Sequence, residues 1–161
     1  MFPGVGPWCG LPSFWELHGA RPSFYNQVMQ SLTLTNEQLQ KMIVHVESHA
    51  PLEACGLLAG KGSSVDAVLE VLNQAQSPVR YVMDPVEQLN AFEWIDSHGL
   101  NLLGIFHSHP AGPEVVSFTD IIEAAYDVVY IVLSHKQGAG WTARGFWIEN
   151  GTSREVPLHI V

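Results

Sequence analysis

Two histidines stand two apart in the stretch His107-Ser-His109-Pro-Ala-Gly-Pro-Glu-Val-Val-Ser117-Phe-Thr-Asp120. On an extended strand, residues two apart point to one side, so the pair presents two imidazoles to a single point. A carboxylate follows at Asp120. Two neutral imidazoles and one carboxylate bind a divalent cation and leave a fourth position for water, the ligand count of a catalytic zinc site. The same donor set also suits a non-haem iron. Farther upstream, Glu53 opens the apolar run Glu-Ala-Cys-Gly-Leu-Leu. A carboxylate there is either exposed at a strand end or held for use as a base, its pKa raised by apolar neighbours such as Leu52, Ala54 and Leu57.

The parts are ordinary one by one. Ser117-x-x-Asp120 is also a capping box that starts a helix, and histidines at strand ends are common. Their conjunction is informative: same-face histidines, Pro110 to stop the strand, a Gly/Pro loop, then a helix start carrying a carboxylate. A rival metal motif, His45-Val-Glu-Ser-His49, has histidines four apart on a helix. Its glutamate sits one place later than in His-Glu-x-x-His, so both imidazoles read as structural or solvated, with His49 at the edge of the apolar stripe and His45 farther out. Cys55 reads as a small buried hydrophobe rather than a nucleophile, since no polarising base accompanies it.

The elements that must position these groups follow from patterning. Asn101–Phe106 is apolar on both faces and predicts a central buried strand, with Leu103, Ile105, His107 and His109 on one side. Ser117 predicts a helix whose core face is Phe118, Ile121, Ile122 and Ala125, with Asp120 turned away from it. Ser31–Thr35 alternates like a short strand. Thr35 and Gln38 start a helix with Leu39, Met42, Ile43 and Val46 inward. Residues 53–60 and 65–72 predict a hairpin around Lys61–Ser64, and 79–83 a further short strand. Asp84-Pro85-Val-Glu87 starts a helix with Val86, Leu89, Phe92 and Ile95 inward and Gly99 at its end. Residues 127–134 predict a core strand, 135–140 a flexible loop, and 141–149 with 152–161 a hairpin about Asn150-Gly151. Strands interleaved with about three helices predict one layered α/β domain over residues 31–161.

The chain has 161 residues, 47% hydrophobic, with a formal charge of −9 and only seven Lys plus Arg. That is the size of one domain with a sizeable core. The acidic balance argues against nucleic acid as the main partner, and no apolar run is long enough to span a membrane. Two cysteines, Cys9 and Cys55, do not make a disulfide framework, which fits a reducing, cytoplasmic setting. Residues 1–30 are rich in Gly, Pro and scattered aromatics, lack the pattern of a secretory signal, and read as an irregular N-terminal segment. Met29 is an alternative start; the rival is an arm packed on the domain or on a second subunit.

His107-Ser-His-Pro110, six residues, then Ser117-x-x-Asp120 resembles the JAMM motif of the MPN+ metalloproteases, and Glu53-Ala-Cys-Gly-Leu-Leu58 resembles the segment carrying that family's catalytic glutamate. The resemblance covers about residues 32–150. It implies an MPN/JAB, cytidine-deaminase-like fold with a mixed central sheet. It further implies one Zn2+ held by His107, His109 and Asp120, Glu53 as general base, and Ser117 as an oxyanion donor. The implied activity is hydrolysis of a peptide or isopeptide bond at the C-terminus of a ubiquitin-like or sulfur-carrier protein. A non-catalytic MPN scaffold that binds protein partners is the alternative, although scaffolds of this family usually lack one or more of the ligands. Oligomeric state and the identity of the carrier are not legible in the sequence.

Overall fold

The computed structural model describes residues 29–161; the readings made above for residues 1–28 lie outside them. Eleven elements follow in order: β1 (Leu32–Leu34), α1 (Asn36–His49), β2 (Cys55–Lys61), β3 (Ser64–Val71), α2 (Pro85–Ser97), β4 (Asn101–His109), α3 (Phe118–Glu123), β5 (Val129–Lys136), β6 (Gly140–Glu149), β7 (Thr152–Val156) and β8 (Leu158–Ile160). The strands form one mixed sheet in the order β7-β6-β5-β4-β2-β3-β1-β8. β4 lies between antiparallel β2 and parallel β5, so the strand that carries both histidines is central and paired on both sides. The layered α/β architecture predicted from patterning is thus the one the chain adopts.

The local signals act as read. Thr35 and Gln38 form a reciprocal capping box on α1, Asp84 caps α2 with Pro85 in its first turn, and Gly99 takes a left-handed φ of +61° just past the end of α2. Asn150 and Gly151 both have positive φ in the tight turn between β6 and β7.

Two apolar clusters sandwich the sheet. One joins α1 (Met42, Val46) to Leu58, Phe106, Ile131 and Trp147. The other joins α2 (Ala91, Ile95) to Cys55, Leu57, Ile105, Tyr130 and Val132. The second cluster lies on the face of β4 that leads to His107. Only Pro157 separates β7 from β8, yet they are opposite edges of the strand order. The sheet is therefore curled until its edges meet, and the Leu32 amide donates to the Pro157 carbonyl there (3.0 Å).

Several expectations are corrected. Leu103 does not share the histidine face. The β2–β4 register jumps from Leu58↔Gly104 to Ala59↔Leu102, a bulge that leaves Leu103 unpaired and turns it into the cluster beneath α1. Residues 79–83 form no strand; pairing there is limited to the bridge Asn73↔Met83. Val86 and Leu89 of α2 are exposed, and Ala91 with Ile95 carries the packing instead. β5 extends to Lys136 and β6 begins at Gly140, so the flexible loop expected over 135–140 shrinks to a turn at 137–139, and the last segment is two strands broken at Pro157. The face of α3 is only partly as expected: Ile121 packs on the second cluster, but Phe118 and Ile122 are 78% and 63% exposed and Asp120 is buried. A helix this short carries apolar groups on two sides, so periodicity cannot rank them. The capping bond and two imidazoles hold Asp120 inward.

Candidate metal centre

β4 delivers His107 and His109 on consecutive same-side positions at its last turns. α3 delivers Asp120 from its first turn. His107 Nε2 and His109 Nε2 lie 3.0 Å apart, and Asp120 Oδ2 lies 3.3 Å from the first and 3.4 Å from the second. Ligating atoms of all three side chains fall within 4.8 Å of one another, and all three residues are buried. Glu53, two residues ahead of β2, brings Oε1 to 3.9 Å from His109 Nε2 and is itself only 4% exposed.

The backbone and neighbouring side chains fix these positions. Ser117 caps α3: its Oγ accepts from the Asp120 amide at 3.1 Å, and its own amide donates to Asp120 Oδ2 at 2.6 Å. The oxygen that caps the helix is therefore the one facing the imidazoles, so capping and site-building are one arrangement rather than rivals. His109 Nδ1–H donates to the Pro113 carbonyl at 2.8 Å, which turns Nε2 toward Asp120 and His107, where it can donate a proton to Asp120 or, in the neutral ring, offer its lone pair to a cation. The His107 ring stacks on Tyr81, with centroids 4.5 Å apart, while its Nδ1 is buried and has no hydrogen-bond partner among the described residues. Ser108, between the two histidines, is fully buried. Its Oγ accepts from the Ala54 amide at 2.9 Å and its amide donates to the Ala54 carbonyl at 3.0 Å. This double bond locks the histidine strand to the segment bearing Glu53.

Electrostatics are those of a compact, desolvated donor set. Burial pushes the His107 pKa down, against the pull of Asp120. Burial also opposes protonation of His109, but hydrogen bonds to Asp120 and Pro113 and the nearby Glu53 charge leave its pKa raised. Desolvation works against the Asp120 carboxylate, yet the hydrogen bonds of His107 and His109 outweigh it and hold its pKa well below the carboxylate range. Glu53 goes the other way. Burial lifts it to about 7, with His109 opposing and Asp120 adding.

These residues fit a divalent cation by the chemistry of the donor set. Two imidazole nitrogens and one ionised oxygen converge at 3.0–3.4 Å. Otherwise only protons mediate between them, and a cation binding there would displace those protons.

The rival histidines do something else. His45 is buried, its Nε2 donating to the Cys55 carbonyl at 3.1 Å and its Nδ1 3.5 Å from a Glu70 oxygen. His49 is exposed, its Nδ1–H directed at the His45 carbonyl at 2.8 Å. Their burial is the reverse of the expected order, because α1 buries Met42, His45 and Val46, one step round from the predicted stripe. Cys55 is fully buried and its thiol is pushed up to about 12, first by burial and then by Glu53 and Glu87. It is the inert small hydrophobe expected. Sequence reasoning missed Ser108, Tyr81 and Asn73, whose carboxamide contacts the Glu53 main chain. Ser108 alone left a signal, as a polar residue inside an otherwise apolar strand face.

Residues 35–148 match the family described as prokaryotic homologs of the JAB domain. The chain is 39% identical over 95 residues to a probable TtuB-protein conjugate cleaving protease of Thermus thermophilus, covering 58% of this chain and 64% of that protein. It is 36% identical over 97 residues to a desampylase of Pyrococcus furiosus, covering 60% and 69%. With a CysO-cysteine peptidase of Mycobacterium tuberculosis it shares 28% identity over 81% of this chain and 91% of that one. Thus the match spans somewhat under two thirds of the Thermus relative's length. Among solved structures, a Desulfitobacterium hafniense protein superposes with a TM-score of 0.73 at 34% identity, covering 81% of this chain and 92% of that one. A JAB1/MPN domain protein of Archaeoglobus fulgidus shares the fold at a TM-score of 0.52 and 19% identity, covering 81% and 99%. With a central histidine strand, a capping aspartate and this family match over residues 35–148, the chain belongs to the prokaryotic JAB-domain, or JAMM/MPN, family.

Proposed function

We propose that this protein is a zinc-dependent hydrolase that cleaves a peptide or isopeptide bond at the C-terminus of a ubiquitin-like or sulfur-carrier protein. The observation that carries the reading is the convergence of His107, His109 and Asp120 with the raised-pKa carboxylate of Glu53 beside them. His107 Nε2, His109 Nε2 and Asp120 Oδ2 would hold the ion. When bound, zinc supplies a Lewis acid and brings the pKa of a water to about 7.

Glu53 takes a proton at its carboxylate oxygen and later returns one to the leaving amine. Burial raises its pKa in the metal-free protein to about 7, the direction a base that must also act as an acid needs near neutral pH. The Ser117 hydroxyl keeps its hydrogen free, because its oxygen acts as acceptor in the cap. That hydrogen is available to a developing oxyanion, where one such donor is commonly worth about 10²–10³ in rate.

The substrate class rests on the relatives. They are named for acting on TtuB conjugates, as desampylases, and on CysO-cysteine. Such a bond sits at the end of a thin tail, and a Gly-Gly terminus fits a buried site. This work belongs in the cytoplasm, in keeping with the free, buried Cys55.

The test uses a small β-grasp carrier whose C-terminal Gly-Gly is joined to a reporter amine. The zinc-loaded protein is expected to release the amine and leave the carrier intact by mass. The Glu53→Gln variant should keep its zinc, measured by elemental analysis, and lose turnover. Turnover by Glu53→Gln at the unsubstituted rate would remove Glu53 from the mechanism. Anaerobic purification followed by metal analysis separates zinc from iron.

A further inference from the structure

Glu53 stands outside the regular ladder, two residues before β2 begins. Its carboxylate is aimed by whatever fixes its own two peptide groups. The Glu53 amide donates to the Ser77 carbonyl at 2.9 Å. The Glu53 carbonyl accepts from Asn73 Nδ2 at 2.9 Å. Both partners belong to one segment, residues 73–83, closed on itself by the bridge Asn73↔Met83.

Asn73 is buried, and its carboxamide uses its full hydrogen-bonding capacity. Nδ2 donates also to the Arg80 carbonyl at 3.1 Å. Oδ1 accepts from the Ala75 amide at 3.0 Å and the Val82 amide at 2.9 Å. The two halves of the group have separable jobs. The oxygen only shapes the segment, whereas the nitrogen both ties it at Arg80 and joins it to Glu53. The same segment stacks Tyr81 on His107 and pairs Arg80 with Glu123 of α3. One closed loop thus touches the base, a metal-binding imidazole and the helix that carries Asp120.

We infer that Asn73 is a positioning residue: its carboxamide nitrogen fixes the Glu53 peptide and thereby aims the Glu53 carboxylate at the metal-binding atoms. The inference rests on the hydrolase reading above. Asn73 reaches Glu53 through the main chain and has no bond to His107, His109 or Asp120, so its removal should leave the metal in place. Misplacing a reacting group by about 1 Å costs about 10²-fold in rate.

Asn73→Asp keeps the acceptor half, and with it the anchoring of Ala75 and Val82, but cannot donate to Glu53 or to Arg80. Asn73→Ala removes both halves without adding charge. Three quantities are measured on each: zinc affinity by chelator competition, kcat and KM on the carrier–Gly-Gly–reporter substrate, and hydrogen exchange at the Glu53 amide. Both variants are expected to bind zinc as the unsubstituted protein does. They should lose about 10²-fold in kcat with KM little changed, and exchange the Glu53 amide faster while the amides of β4 stay protected.

A loop staple alone predicts otherwise. Any loss of kcat in Asn73→Asp or Asn73→Ala would then track the unfolded fraction or the zinc content. Such tracking overturns the inference, as does unchanged exchange at Glu53. Failure of the hydrolase reading looks different. In that case the unsubstituted protein does not release the amine, or Glu53→Gln releases it equally well, and the exchange and zinc measurements still decide whether Asn73 holds Glu53.

Discussion

Glu53 and Asp120 are carboxylates in one buried site with opposite fates, and the difference is set by what each accepts. Asp120 takes hydrogen bonds from two imidazoles and a backbone amide. Glu53 has none of these on its carboxylate and meets mainly desolvation. Its pKa therefore rises from an ordinary 4.5 to about 7, so the metal-free folded protein holds a proton that the unfolded chain releases. The stability this gives is fully present below pH 4.5 and is lost as pH rises through about 7. In the Glu53→Gln variant that loss is removed. The stability of metal-free Glu53→Gln relative to the unsubstituted protein should thus climb between pH 4.5 and 8, by roughly 3 kcal/mol. Denaturant unfolding at pH 4, 6 and 8 measures it, and a constant difference would show that Glu53 is not desolvated. Asp120 has the opposite sign: its contribution is present above its ordinary 3.8 and fades as pH falls toward its depressed value.

At the scale of elements, the segment 73–83 and the central strands decide how well the site is held. Among the described residues His107 Nδ1 has no hydrogen-bond partner, so on that side the ring is held by its stack on Tyr81, with His109 and Asp120 meeting its other edge. Tyr81→Ala should weaken zinc binding by about 10-fold, the low end for loss of a group that supports a ligand, while Tyr81→Phe, which keeps the ring, should bind as before; chelator competition checks both. Gly56 of β2 is a second such point. A Cβ there would run into the Leu69 carbonyl and the buried Phe106 ring, neither of which can move without opening the ladder. Gly56→Ala should destabilise by at least about 1–3 kcal/mol, read as a lowered unfolding midpoint. Much of this level was legible in the sequence. The caps at Thr35, Asp84 and Ser117, the turn at Asn150-Gly151 and the buried character of β4 all have local causes. What was illegible has non-local causes. The bulge that turns Leu103 away depends on the partner strand β2. The inward turn of Asp120 on α3 depends on imidazoles eleven and more residues earlier. Asn73 sits in a polar stretch, and its four bonds join residues that share no periodicity.

At the scale of the molecule, the proposed ligands come from two parts of very different anchorage. β4 is laddered on both sides in the middle of a curled sheet. α3 has six residues; Phe118 and Ile122 point outward, and its apolar anchorage is the half-buried Ile121. The site itself and the Arg80–Glu123 pair add to that single apolar hold. An ion bound by His107, His109 and Asp120 would join the most secure strand to the least secure helix, and would bind the folded chain but not an unfolded one with the same affinity. Zinc at about 1,000 times its dissociation constant adds about 4 kcal/mol of stability by mass action. For a domain of this size that raises the unfolding temperature by on the order of 10 °C. The gain should be concentrated in α3, where amide exchange should slow on zinc addition, while the amides of β4 are already protected. His107→Ala and Asp120→Asn should abolish both effects, and Glu53→Gln should keep them. If Glu53→Gln lost the zinc-dependent rise as well, its carboxylate would be a ligand rather than a base, and the proposed division of labour between His107, His109 and Asp120 on one side and Glu53 on the other would have to be redrawn.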